Sequence, residues 1–259
     1  MGGMARNAIH QAAQAFDGAA EAYDRGRPGF PPEAVATLVD VLKIGAGVRV
    51  LDLAAGTGKL TRMLAPSGAE LVAVEPLDGM RARLEASLPG VPALEGTAEA
   101  IPLPDASVDA VTVAQAFHWF DGKPALGEIH RVLAPGGRLG LLWNAKDEQE
   151  DWVARLGELI EPHRGTAPRY HSGSWRIAFE ETALFTPLAA EHFSHVHEVD
   201  TESVVDRVLS ISFIAALTGK EREQVGEQVL GLLAEHPETR ERDTFRLPYR
   251  TDVYWCERV

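Results

Sequence analysis

A short apolar run, Val48 to Ala55, ends at Gly56-Thr57-Gly58 and passes at once into a helical stretch from Lys59. This junction constrains the fold more than any other segment. A continuous apolar run suits a strand covered on both faces, as in a parallel sheet. The two glycines let the backbone turn tightly and approach a ligand without interference from a Cβ. In open parallel sheets, ligands bind at the carboxyl ends of the strands, where such a turn lies.

The pattern repeats. Leu71–Pro76 reads as a strand, 79–88 as a helix, and VPALEG (91–96) opens a third short strand. Val108–Phe117 reads as a strand and Ala125–Leu133 as a helix that stops at Pro135-Gly136-Gly137; Arg138–Trp143 reads as a fifth strand. This alternation predicts an α/β fold, a doubly wound and mostly parallel sheet with helices on both faces. Ahead of it, 7–24 is an Ala-rich helix, RGRPGFPP (25–32) interrupts, and 33–44 is a second helix. After Trp143 the pattern predicts a charged helix over 146–164, a strand over 193–199, helices over 201–217 and 221–236, and a last strand in LPYRTDVYWCERV. One domain over 1–259 is expected: 1–44 capping the cofactor, 45–145 binding it, and 146–259 adding strands and a helical insertion that lids the site.

Composition narrows the partners. The 259 residues carry 38 acids against 25 Lys+Arg, a net charge of −13. Such a surface repels phosphate backbones and anionic lipid, so no nucleic acid and no membrane is expected as partner. The DEQED run at 147–151 is expected to be solvated surface. A single cysteine, Cys256, leaves no internal disulfide and no multi-Cys zinc site. No signal peptide or membrane-length apolar run is visible, which predicts a soluble cytoplasmic protein, monomer or homodimer.

Glu75 ends the second strand, where a carboxylate accepts two hydrogen bonds from a ribose diol. That points to an adenosine-containing cofactor, either a dinucleotide or S-adenosylmethionine. The dinucleotide fingerprint wants a third glycine where Thr61 stands, and the phosphate-loop spacing is absent. Asp52, just before the loop, would repel a pyrophosphate and attract an ammonium or sulfonium.

VLDLAAGTGKLT, LVAVEP, EGTAEAIPLPDASVDAV and RVLAPGGRLGLLW together resemble the successive motifs of class I S-adenosylmethionine-dependent methyltransferases of Rossmann-like fold. The chain is most similar to the methyltransferase type 11 group that includes trans-aconitate methyltransferases. The resemblance implies S-adenosylmethionine as cofactor and transfer of its methyl group to a small-molecule acceptor, at oxygen of a carboxylate or hydroxyl. It implies that Ala54, Gly56, Thr57 and Gly58 contact the methionine part, with Asp52 orienting the loop. Glu75 binds the ribose, with Pro76 and Met80 on the adenine side. Thr97, Ala98 and Glu99 read adenine, although the family often has Asp where Thr97 stands. Ala114 and Gln115 flank the methionine moiety, and Tyr23 and Arg27 fold over the cofactor. A second reading is an S-adenosyl-ligand binding protein without methyl transfer; loop and Glu75 would look the same in both.

His118 follows the fourth strand at the expected substrate mouth. Imidazole titrates near neutral pH, so it is the candidate catalytic base; its alternative is a packing role beside Trp119 and Phe120. Trp119, Trp143, Asn144 and Phe213 are candidates to line the acceptor pocket, with a place in the core as the alternative for the aromatic ones. His195 and His197 share a strand face that His192 does not, so the three are read as sheet histidines and no metal is expected.

Overall fold

The computed structural model describes residues 28–259. Among these, seven strands form one sheet in the order β3-β2-β1-β4-β5-β7-β6. β1 (Arg49–Leu53), β2 (Glu70–Val74), β3 (Ala93–Leu94), β4 (Val108–Ala114) and β5 (Leu133–Lys146) pair in parallel. β6 (Ala189–Val199) takes the far edge, antiparallel to β7 (Phe245–Glu257), which itself returns antiparallel beside β5. Sequence order reverses between β1 and β4. That crevice, at the carboxyl ends of the strands, is where ligands of such sheets bind.

Helices α1 (Pro32–Val41) and α2 (Lys59–Leu64) pack on one face through Leu38, Leu60, Val50, Leu142 and Val253. Helix α3 (Asp78–Ser87) follows β2, and α4 (Gly122–Val132) covers the other face, where Leu126 and Ile129 meet Leu51, Val111, Leu141 and Trp143. Neighbours Leu141 and Leu142 enter opposite cores, the alternation a strand imposes. Each such buried side chain contributes about 2 kcal/mol. Gly140 is required for close approach: a Cβ there would sit 2.5 Å from Leu38 and 2.7 Å from Leu42.

A further core lies at the carboxyl end of the sheet. Helices α5 (Asp151–Ile160), α6 (Ile177–Glu180), α7 (Thr201–Leu209), α8 (Ser212–Ala215) and α9 (Gly219–Glu235) complete the described helices. Trp152 and Leu156 of α5, Val204 and Val208 of α7 and Val229 of α9 close on Phe245 and Leu247 of β7. Thr218 and Glu221 form a reciprocal capping box that starts α9.

Three expected boundaries move. Pro135-Gly136-Gly137 does not separate helix from strand: it is a bulge inside β5, where pairing jumps from Val108↔Leu133 to Ala110↔Arg138. Gly137 is needed there, since a Cβ would lie 2.8 Å from the Ala134 carbonyl oxygen. The stretch 201–217 is two helices, parted at Ser210-Ile211. β6 starts at Ala189 because the whole β7 edge offers partners, from Trp255 to Phe245.

Candidate active site

The loop after β1 is built from backbone conformations that few side chains allow. Ala54 has φ 55°, Gly56 58° and Gly58 80°. A Cβ on Gly56 would meet nothing within 4 Å, so this glycine opens space, whereas a Cβ on Gly58 would lie 2.9 Å from Leu84 of α3. Gly58 is therefore a packing glycine and, unlike Gly56 and Thr57, does not line the adjoining cavity. Ala54, Gly56, Thr57, Ala114 and Gln115 line a small cavity of about 60 Å³ that Phe30 and Asn144 also bound.

Glu75 is 4% exposed. Its Oε2 accepts the Gly56 N–H at 2.8 Å and its Oε1 the Leu77 N–H at 3.0 Å. Burial pushes its carboxyl up to about 7, against the pull of those N–H groups and of Arg81. A carboxylate has about four acceptor positions, of which these two N–H groups take two; Glu75 itself lines no described cavity.

Asp52 is placed differently from expectation. It is 1% exposed and stands behind the loop. Thr61 donates to its Oδ2 at 2.5 Å and Thr112 to its Oδ1 at 3.0 Å. Burial raises its carboxyl to about 6, with the two hydroxyls holding it down. Thr61 occupies the position of the third dinucleotide glycine, and its hydroxyl ties α2 to β1. The Asp52 carboxylate thus ties α2 to β4 and lines no described cavity.

Pro76 and Met80 follow β2, with Met80 buried on α3. Thr97 and Ala98 are also buried, and Glu99 Oε1 accepts the Asp121 N–H at 3.0 Å. None of these five lines a described cavity. Tyr23 and Arg27 lie outside the described residues.

Gln115, at the end of β4, also has a left-handed φ of 60°, and its Nε2 donates to the Asn144 carbonyl at 3.1 Å. It lines a second, larger cavity of about 540 Å³ together with His118, Trp119, Lys146, Tyr170 and Phe213. His118 and Trp119 sit on a single 3₁₀ turn, Phe117–Trp119. Two candidate pocket residues are elsewhere. Trp143 faces the sheet core with Leu141, 1% exposed, and its Nε1 donates to His118 Nδ1 at 3.2 Å. Asn144, on the opposite face, joins the small cavity; it donates to the Gly29 carbonyl at 3.0 Å and accepts from Thr251 at 2.6 Å.

Several wall residues carry no local sequence signal. Glu148 lines the large cavity, so the acidic run at 147–151 is not all solvated surface; Arg164, Arg169 and His171 line it too. Arg164 lies 4.7 Å over the Phe213 ring, and burial lowers its pKa. Tyr170 donates its hydroxyl proton to Asp252, a fully buried carboxylate that also meets His192 Nδ1 at 2.5 Å and Arg250 Nε at 2.9 Å. His195 stacks on Tyr249 at 5.2 Å. Among the described residues no group of three His, Cys, Asp or Glu is placed to hold a metal, and no helix is long and apolar enough to cross a membrane.

The donor set fits an S-adenosyl ligand. An open glycine cradle adjoins a buried carboxylate with acceptor positions to spare, and a left-handed Gln115 joins it to a second cavity of substrate size.

Comparison with known proteins agrees. Residues 51–141 match the methyltransferase domain family. An uncharacterized methyltransferase of Mycobacterium tuberculosis is 44% identical over 242 residues, covering 91% of this chain and 92% of that protein. A demethylmenaquinone methyltransferase of Thermus thermophilus is 48% identical over 112 residues, 40% of this chain and 50% of its own. A solved structure described as a type II methyltransferase, from Anaeromyxobacter dehalogenans, shares the fold at TM-score 0.67 and 22% identity, over 88% of this chain and 97% of that one.

Proposed function

Because the chain belongs to the class I S-adenosylmethionine-dependent methyltransferases, we propose that it methylates a small molecule seated in the 540 Å³ cavity. One observation carries this reading: Gln115 lines both cavities, so cofactor and acceptor share a wall.

The residues that would hold the cofactor are the loop Ala54–Thr57, Glu75, Ala114 and Gln115. When bound, S-adenosylmethionine supplies an already activated methyl group. What remains for the chain is alignment and exclusion of water. The Gly56 N–H holds Glu75 in place, and the Asn144 carbonyl holds the Gln115 amide between the two sites. Trp119, Tyr170 and Phe213 provide apolar walls, while Lys146, Arg164 and Arg169 are interleaved with Glu148, Glu158 and Glu161, and Glu161 pairs with both arginines. That lining suits a molecule with an aromatic or apolar body and an oxygen acceptor, a carboxylate or hydroxyl.

We read the chain as a single domain working in the cytoplasm, as monomer or homodimer, without nucleic acid. The test is release of S-adenosylhomocysteine from S-adenosylmethionine with a panel of small carboxylic acids, phenols and amines. Turnover with a small oxygen acceptor, lost in Glu75→Ala, is expected. Turnover only with protein or nucleic acid would overturn the reading.

A further inference from the structure

We propose that His171 is the general base of the large cavity, and that the methyl acceptor is a hydroxyl, phenolic or alcoholic, whose proton it takes. The proposal rests on that cavity being the acceptor site. Among the described residues, His118 and His171 are the histidines that line it. His118 Nδ1 receives the Trp143 indole N–H at 3.2 Å. Neither ring nitrogen of His171 has a hydrogen-bond partner among the described residues.

The turn that carries His171 is otherwise engaged on every side. Tyr170–Ser172 is a single 3₁₀ turn. Tyr170 stacks on buried Trp143 at 4.6 Å with 21° between the rings, and its hydroxyl donates to Asp252. Its carbonyl accepts the Trp175 Nε1–H at 3.2 Å and the Gly173 N–H at 3.1 Å. Ser172 Oγ donates to the Arg169 carbonyl at 2.7 Å and meets Ser174 Oγ at 2.9 Å. Arg169 itself pairs with Glu161. A turn held at so many points fixes the place of the one imidazole it leaves uncommitted.

The surroundings suit a base that starts neutral. Burial of the ring against the cavity wall is the largest influence on His171 and lowers its pKa. Of the charges that face it, Arg250 and Arg164 lower it further, while Glu148 and Asp252 pull the other way and would stabilise the imidazolium once formed. A neutral imidazole keeps a lone pair on one ring nitrogen, as a base requires. Tyr170 is no rival, because its proton is held by Asp252. As the acceptor oxygen bonds to the methyl carbon, its proton passes to that imidazole nitrogen. The O–H electron pair stays on oxygen. The electron pair of the breaking carbon–sulfur bond stays on sulfur, which leaves neutral S-adenosylhomocysteine. The imidazolium then returns its proton to solvent. A carboxylate acceptor is already ionised at neutral pH and would give His171 nothing to do.

Turnover is measured as S-adenosylhomocysteine release with phenols, alcohols and carboxylic acids, in the unaltered enzyme and in His171→Gln. Phenol or alcohol turnover is expected to rise with pH and level off above the His171 pKa. In His171→Gln it should fall about a hundredfold and lose that inflection. Melting temperature and calorimetric affinity for S-adenosylhomocysteine should not move, since the ring holds nothing else in place. Histidine ring NMR of the protein without cofactor gives a readout independent of turnover. The signal missing in His171→Gln should titrate below pH 6.5 in the unaltered protein. A midpoint at or above that value overturns the proposal, as does turnover confined to carboxylic acids. A loss in His171→Gln that leaves the inflection in place would make His171 part of the wall and not the base, and overturns it too. Full hydroxyl turnover in His171→Gln sinks the base alone; absence of turnover on every acceptor sinks the function proposed above and the base with it.

Discussion

The two sides of the crevice are made of different material. The cofactor side is backbone: a left-handed loop, its N–H groups, and two buried carboxylates that hold it from below. Most of its ties are short in sequence, with Asp52 and Thr61 separated by 9 residues and Gly56 and Glu75 by 19, although Thr112, 60 residues on, also holds Asp52. The acceptor side is side chains gathered from afar; Tyr170 and Asp252 are 82 residues apart. A backbone cradle recognises what all substrates of a family share. A wall of side chains can change its charge and shape without disturbing the loop. Damage to either side should therefore stay on that side.

The largest expected effect breaks the cofactor side alone. Gly56→Val puts a β-branched residue at a φ of 58° and fills the open cradle. Affinity for S-adenosylhomocysteine, by calorimetry, should fall by a hundredfold or more, on the order of 3 kcal/mol. The melting temperature should drop only modestly. A variant with near-normal affinity would show that the loop does not cradle the ligand.

On the acceptor side, Asp252→Ala strips the carboxylate from Tyr170, His192 and Arg250. Removing one partner of a buried ionic cluster costs about 3 kcal/mol in chemical denaturation. Cofactor affinity should change less than threefold if the two sides are independent, about 0.6 kcal/mol.

The comparison sharpens with pH. Asp52 and Glu75 hold their protons up to about 6 and about 7 when folded. In the unfolded chain, carboxylates release theirs near pH ~4. Between about pH 4 and pH 7 the folded state binds more protons than the unfolded one, so raising pH through this window lowers the stability of the ligand-free protein. Affinity for cationic S-adenosylmethionine should rise over the upper part of the same window as the acids ionise. Glu75→Gln should remove about half of the stability slope, with Asp52 keeping the rest, and should flatten the affinity slope; slopes unchanged in that variant would assign them elsewhere.

The smallest effect tests whether the acceptor side tolerates local weakening. Thr218→Ala removes the capping box of α9 and should cost about 1 kcal/mol by denaturation. Cofactor affinity should not move.

What could be read ahead of the structure follows the same division. The strand–turn–helix units were legible because each is local: an apolar run, a glycine turn, a helical period. Glu75 was legible because its position after β2 follows from the loop. Thr61 was visible only as a missing glycine; that its hydroxyl binds Asp52 needed the packing of α2 on β1. Trp143 at a strand end was open to two readings, pocket wall or core. The strand's alternation decides for the sheet core, with Leu141. Tyr170, Arg164 and Asp252 had no local signature. They meet because β7 returns antiparallel along β5, and long-range pairing of that kind leaves no trace in a short window. The Pro135-Gly136-Gly137 bulge misled for the opposite reason: its turn chemistry was read correctly, but β4 keeps pairing across it.

Ala54 and Gln115 bear on how this protein could be improved for practical use. Each holds a left-handed backbone without being glycine, at the ends of neighbouring strands β1 and β4. An L-residue in that conformation forgoes about 1–2 kcal/mol. A thermostability campaign would therefore be drawn to glycine at both positions, and the melting curve would reward it. The selected variants would have lost the amide that stands between the two cavities, or gained slack in the loop beside it. Stability screens on this scaffold need an activity readout at every round, because its cheapest gains in heat resistance lie beside the two cavities.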